Sequence, residues 1–342
     1  MLPRYEIRAA TSADLDGLYE LSEFLDSVNL PHNRDEIIDV LKRSEESFSG
    51  AIPNPKNRQY VFVLLDHQEK RAVGTSMVFG QLGRRGVPYI YLDVREEEKY
   101  SSTLDRHFVH QVLRIGYSFN GPTEIGGLVM HPGYRRAPER LGMLISYVRF
   151  LWIAMKRPFF QDELLAELMP PLKDDGTSVL WEAVGRHFTD MTYQEADKLS
   201  KRNKEFIRGL FPDGDIYASL LAPEAQAVIG EVGPQTKGVE KMLRRIGFRY
   251  ADRVDPFDGG PHFVAPTNEV SLVRDACAVR IESIDAQPKH RFLVGAAWDA
   301  APWFRAFTVA GHLDGDQLKL EPSSADALRE LHAGALWALR LP

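Results

Sequence analysis

The stretch from Glu124 to Met155 constrains the fold more than any other part of the chain. Glu124-Ile-Gly-Gly-Leu-Val-Met-His131 is an apolar run of strand composition, Pro132 to Gly142 is a loop carrying Arg135, Arg136 and Arg140, and Met143 to Met155 is the most apolar helical run. A strand that feeds a helix through a basic loop is an arrangement that binds phosphates. The helix start presents unpaired amides and the positive end of its dipole there. An arginine-rich loop that caps the helix and faces only water is the other reading of the same residues.

The elements before it alternate between strand and helix. Tyr5-Glu-Ile-Arg-Ala reads as an opening strand, and Thr11 with Asp14 offers a helix cap with an acid three residues on. A second helix is expected from about Asn33 to Phe48. Gln59-Tyr-Val-Phe-Val-Leu-Leu and Ala72-Val-Gly-Thr-Ser-Met-Val-Phe are β-rich runs joined by the charged turn Asp66 to Arg71, which predicts a hairpin. The Arg95-Glu-Glu-Glu-Lys99 run reads as a solvated turn or helix end.

This order, β-α-α-β-β-β-α-β, resembles the GCN5-related N-acetyltransferase (GNAT) fold, a mixed α/β architecture of acyl-CoA N-acyltransferases. The resemblance implies that coenzyme A diphosphate sits on backbone amides after the fourth strand, with Arg135, Arg136 and Arg140 as cationic donors and Gly142 allowing close approach. It also implies that Leu128, Val129 and Met130 line the acyl donor along that strand, with His131 within reach of phosphate. The fold's usual Arg/Gln-x-x-Gly-x-Gly/Ala spacing would place its first glycine at Arg140, so this loop is longer than usual.

Composition bounds the remaining classes. The 342 residues are 44% hydrophobic and 26% charged, enough for one large or two smaller domains. A net charge of −6 argues against nucleic acid as the main partner, and a polar start with no long apolar helix argues against export or a membrane. A single cysteine, Cys277, and no Cys/His cluster at zinc spacing point to a cytoplasmic protein without a disulfide or structural metal. Without a Gly-x-Ser-x-Gly elbow, P-loop or dinucleotide fingerprint, serine-nucleophile, nucleotide-triphosphate and NAD chemistry lack support.

A second constellation lies at 247–261, Gly-Phe-Arg-Tyr-Ala-Asp-Arg-Val-Asp-Pro-Phe-Asp-Gly-Gly-Pro. The helix from Lys237 to Ile246 stops at Gly247, and Asp255 and Asp258 stand beside a Gly-Gly-Pro turn. Two readings are open for this pair: carboxylates that grip a planar guanidinium, or acids that cap their own turn. Ser178 to Phe188 shares the helix-to-Phe ending of Val239 to Phe248, which suggests a second, related half or a long insertion from about residue 170.

Leu30-Pro31, Tyr60-Val-Phe-Val-Leu, the Trp181 to Phe188 helix end, Glu224-Ala-Gln-x-Val-Ile-Gly230, Pro234-Gln-Thr236 and Asp255-x-Phe-Asp-Gly-Gly-Pro261 together resemble the arginine N-succinyltransferases. The strand-like runs after Trp303, Gln317 and Leu336 resemble that family's β-rich tail. The resemblance divides the chain into an acyltransferase region, 1–275, and a β-rich carboxy-terminal domain, 276–342. It implies transfer of succinyl from succinyl-CoA, a co-substrate rather than a resident cofactor, to the α-amino group of arginine. Small-molecule partners, and a homo-oligomer or a homologous second subunit, are implied with it; ornithine or another amine as acceptor, and a silent CoA-binding subunit or sensor, stay open.

One departure bears on the chemistry. The family's proposed proton-transferring histidine precedes Pro-Gln-Thr, where this chain has Gly233. An ammonium must lose a proton before it attacks a thioester, so another group has to accept it. Glu124, at the start of the candidate fourth strand where the fold often carries a base, is the first candidate; His262 and Glu231 are the others. Arg186, Arg249 and Arg253 are cations available for the succinyl carboxylate.

Overall fold

The computed structural model describes residues 3–24, 29–83, 87–200, 203–284, 288, 290–329 and 335–342. In chain order, β1 (Tyr5–Ala9), α1 (Leu15–Ser22), α2 (Arg34–Phe48), β2 (Gln59–Asp66) and β3 (Arg71–Phe79) lead to a long hairpin, β4 (Tyr89–Ser101) and β5 (Arg106–Ser118). Then come β6 (Thr123–Met130), α3 (Leu141–Met155) and β7 (Glu163–Glu167). Short helices α4 (Val179–Ala183), α5 (Gly185–Thr189), α6 (Tyr193–Ser200) and α7 (Glu205–Leu210), strand β8 (Ile216–Tyr217), and helices α8 (Pro223–Val228) and α9 (Lys237–Arg245) precede β9 (Arg249–Val254) and β10 (Pro261–Pro266). The tail holds α10 (Ser271–Arg274), β11 (Cys277–Ser283), β12 (His290–Ala297), β13 (Phe304–Asp314), β14 (Gln317–Leu320), α11 (Pro322–Arg329) and β15 (Leu336–Arg340).

The chain forms two compact units, Met1–Gln81 with Thr123–Asp162 and Thr267–Pro342, and Leu82–Pro122 with Glu163–Pro266. This partition differs from a boundary at residue 275, because the tail belongs to the first unit. There β13 pairs with β1, Ile7 opposite Ala306. Strands β11 to β15 close on themselves through the pairs β12–β13, β13–β14, β14–β11, β11–β15 and β15–β12, a small closed barrel.

In the first unit β1, β2, β3 and β6 run antiparallel in that spatial order. Leu18, Leu21, Ile37 and Leu41 of α1 and α2 pack on Val61, Val63, Met77 and Val129 of this sheet. Trp152 of α3 meets Tyr60, Phe62 and Phe304. Burial on both faces explains why β2 reads as a continuous apolar run. The helix starts are local: Thr11 and Asp14 form a capping box, and the Asn33 side chain accepts from the Glu36 amide to begin α2.

The second unit corrects two expectations. Arg95 to Lys99 is neither turn nor helix end but the middle of β4, in unbroken register with β5 from Tyr89↔Ser118 to Ser101↔Arg106. The helical run from Ser178 to Phe188 is broken at Val184, which leaves helical geometry (φ −128°, ψ −71°) between α4 and α5. Trp181, Phe211, Leu92, Leu113 and Phe257 form this unit's core.

Candidate active site

In the first unit, β6 carries an irregularity where the acyl donor is expected. Gly74 and Thr75 of β3 pair with Met130 and Val129, but Met77 pairs with Gly126, so Gly127 and Leu128 together face Ser76. Gly127 adopts φ +55°, a glycine conformation that marks a β-bulge, and a Cβ there would lie 2.7 Å from Met77. The bulge lifts the backbone at Gly127 and Leu128 out of the regular ladder. It is secured from the α3 side. Ser76 Oγ donates to the Ile145 carbonyl at 2.7 Å, and Arg149 donates to the Ser146 carbonyl at 3.0 Å and to Ser146 Oγ at 2.8 Å.

Arg149 is 2% exposed, and its recorded bonds go to carbonyls and a hydroxyl. Burial pulls its pKa down to about 9, which leaves it cationic at neutral pH.

Glu124 stands at the start of the same strand, 7% exposed, with Asn29 Nδ2 donating to Oε1 at 3.3 Å. A Cβ built on Gly126 would fall 3.0 Å from that oxygen and 2.6 Å from Asn29 Nδ2. Glu124 and Gly126 share a face of the strand. The carboxylate therefore occupies space that only a glycine leaves, directed along β6 toward the bulge.

The loop after β6 is built from its own side chains. His131 Nδ1 accepts from the Gly133 amide at 3.2 Å, Tyr134 donates to Asp66 at 3.2 Å, and Arg135 Nε donates to the Met130 carbonyl at 3.2 Å. His131 also packs edge-on against Phe24 and Tyr134, so its ring braces the loop. Arg135, Arg136 and Arg140 are exposed. Arg140 takes the N-cap of α3 in the left-handed region (φ +58°) without a side-chain cap, and a Cβ on Gly142 would meet nothing within 4 Å. The first turn of α3 thus faces open space at Gly142; the Met143 and Leu144 amides already donate to the Arg140 carbonyl at 2.9 and 3.2 Å, which leaves the Leu141 and Gly142 amides for a ligand. The sequence reading missed Arg291 of β12, which donates to the Glu139 carbonyl at 3.3 Å and adds another guanidinium to this loop.

The second unit holds the other candidates. Asp255 Oδ1 accepts from the Phe257 and Asp258 amides at 2.7 and 3.3 Å, and Asp258 Oδ1 accepts from the Gly260 amide at 2.7 Å. One oxygen of each acid thus organises the turn. His262 is fully buried opposite Glu167, its Nδ1 2.8 Å from the Tyr89 hydroxyl. Burial holds the ring down at about 4, and it pushes the carboxyls of Glu167, Asp255 and Asp258 up.

Gly233 donates to the Met169 carbonyl at 2.9 Å, and a Cβ on it would lie 2.7 and 2.9 Å from the Pro170 and Met169 carbonyl oxygens. No side chain fits there without moving backbone. Glu231 and Arg249 are exposed, Arg186 pairs with Glu182 at 2.9 Å, and Arg253 lies over Tyr91 while donating to Asp93 at 3.2 Å.

The β-α-α-β-β-β-α-β order, with the hairpin β4–β5 set between its third and fourth strands, and the bulged strand feeding an arginine-rich helix start, define an N-acyltransferase of GNAT-like fold. The arginine N-succinyltransferase beta subunit family matches residues 5–272. The chain belongs to that family. Arginine N-succinyltransferase of Yersinia pestis (strain Pestoides F) is 32% identical over 333 residues, covering 94% of each chain. Arginine N-succinyltransferase subunit beta of Pseudomonas aeruginosa is 34% identical over 339 residues, covering 96% of each. The structure of arginine/ornithine succinyltransferase subunit AI from Pseudomonas aeruginosa superimposes with a TM-score of 0.80 at 26% identity, over 98% of both chains. Among the described residues no helix is long and apolar enough to cross a membrane.

Proposed function

We propose that this chain transfers the succinyl group of succinyl-CoA to the α-amino group of L-arginine. The observation that carries the mechanism is the alignment, on one strand, of the buried acid Glu124 and the bulge at Gly127–Leu128, followed through the 131–140 arginine loop by the start of α3. The CoA diphosphate is held by the Leu141 and Gly142 amides at the start of α3 together with Arg135, Arg136 and Arg140. The backbone amide of Leu128 donates to the thioester oxygen, where negative charge develops.

Glu124 accepts the proton of the attacking ammonium. The amine then forms the new C–N bond directly, the C–S bond breaks, and the CoA thiolate takes the proton that the nitrogen gives up as it becomes the amide. Asp255 and Asp258 shape the turn at 255–260, and their remaining oxygens are the candidate acceptors for a guanidinium.

The test is substrate discrimination by the purified chain: thiol release and product mass with succinyl-CoA or acetyl-CoA, each against arginine and ornithine. Succinyl-CoA with arginine gives the highest kcat/KM on this reading, and an equal response to ornithine overturns arginine recognition. Gly233 favours a second reading, a CoA-binding subunit that lacks turnover and works beside a homologous chain. CoA binding without product from any pair would support it.

A further inference from the structure

Glu167 at the end of β7, Asp255 after β9 and His262 in β10 are scattered in sequence, yet each brings a ligand atom within 4.8 Å of the other two. His262 and Glu167 are direct cross-strand partners in the β7–β10 pair, and the Asp255 amide donates to the carbonyl of Gly260, the residue just before β10. His262 Nε2 is buried and has no hydrogen-bond partner. It points at Glu167 Oε1 from 3.5 Å, beyond ordinary hydrogen-bonding distance. An orphaned imidazole nitrogen in a fully buried ring is a costly arrangement unless something fills the gap.

The His262–Glu167 pair has the spacing of a metal chelate. Two ligands bonded at about 2.1 Å to one tetrahedral ion lie about 3.4 Å apart, close to the 3.5 Å between these two, with the Asp255 ligand atom within 4.8 Å of both. The opposite nitrogen of the ring is held by the Tyr89 hydroxyl at 2.8 Å, the outer bond that orients a metal-binding histidine. The Asp255 carboxylate is fixed by the Phe257 amide, and the Glu167 side chain, 34% exposed, opens the site to solvent.

We propose that Glu167, Asp255 and His262 form a binding site for one divalent transition-metal ion. One imidazole nitrogen and two carboxylates suit zinc, cobalt(II) or manganese(II), whereas magnesium and calcium ask for more oxygen ligands in a larger shell. The bound ion staples the turn at 255–260 to the end of β7, beside the Met169 and Pro170 carbonyls that crowd Gly233. The site lies within the second unit and shares Asp255 with the proposed guanidinium contact, so an occupied site leaves Asp258 as the acceptor for that group.

The test uses the purified full chain, stripped with a chelator and titrated with cobalt(II) chloride followed by zinc chloride. Saturable binding of one cobalt per chain with the intense visible absorption of a tetrahedral ion, displaced by zinc and not by magnesium, is the expected result. Glu167→Gln and Asp255→Asn should each weaken zinc at least roughly tenfold, while the metal-free variants keep the circular dichroism of the stripped parent. If His262→Gln does not fold, the partly exposed Glu167→Gln carries the test alone. Absence of saturable cobalt and zinc binding overturns the proposal. So does zinc binding that is unchanged in Glu167→Gln.

Discussion

Arg149 directs Nη1 at the carbonyl oxygen of Gly126, 3.4 Å away, from a position 2% exposed to solvent. The carbonyl belongs to the residue immediately before the bulge glycine, so a buried cation in α3 braces the distorted part of β6. A buried charge is weak evidence for stability, since an apolar side chain of similar size often serves the core as well. Replacing Arg149 by Leu should therefore leave the thermal midpoint within a few degrees while lowering kcat roughly tenfold or more, with little change in KM. Paired melting curves and steady-state kinetics check this, and an unchanged kcat contradicts the bracing role.

Gly127→Ala places a Cβ in the left-handed region and 2.7 Å from Met77. The expected cost is about 1–3 kcal/mol of folding stability, read from urea denaturation. Activity should fall further than stability explains, because the strain relaxes by moving the Leu128 amide.

Glu124→Gln keeps the size of the side chain and removes the proton acceptor. The expected loss in kcat is about 100-fold, with KM for succinyl-CoA nearly unchanged. A rise in KM without loss of kcat would place Glu124 in binding instead.

Arg136→Ala and Arg140→Ala remove exposed guanidinium groups beside the start of α3. Each should raise KM for the CoA substrate, by roughly tenfold at most, and flatten its dependence on salt. KM for the acceptor amine should stay put.

The metal-free protein should lose stability as pH falls from 6.5 toward about 4 through His262. Its folded pKa is lowered from the ordinary 6.5 to about 4, so the unfolded chain binds the extra proton throughout that interval. The contribution is on the order of 3 kcal/mol. Glu167, Asp255 and Asp258 work in the opposite sense, since their raised carboxyl pKa values let the folded state take up protons as pH falls. Lys204 and Arg253 add fixed positive charge near the ring. Subtracting the pH profile of His262→Gln from that of the parent isolates the histidine, and a flat difference contradicts its burial as a neutral ring.

Local chemistry made part of this structure legible beforehand. The Thr11–Asp14 cap, the Asn33 helix start, the β2–β3 hairpin and the passage from β6 through an arginine loop into α3 each depend on residues close in sequence. The β4–β5 arm was not legible, because much of Arg95 to Ser101 is exposed on both faces of the ladder and shows no apolar alternation. The bulge is a property of register, and the two glycines of β6 do not reveal which of them takes positive φ until β3 is beside them.

The same limit hid Arg291, brought to the loop by the barrel, and the grouping of Glu167 with His262, which exists only once β7 and β10 pair. A search for closely spaced metal ligands passes over such a set. The turn acids were open to two readings because capping and ligand binding use the same oxygens.

The most direct measurement is a single-turnover incubation of the purified chain, without any second subunit, with succinyl-CoA and L-arginine, followed by mass analysis of the product. The account predicts N-succinylarginine formed in step with free CoA thiol, and nearly abolished in Glu124→Gln. Tight CoA binding with no succinylated product, or equal product from Glu124→Gln, would contradict it.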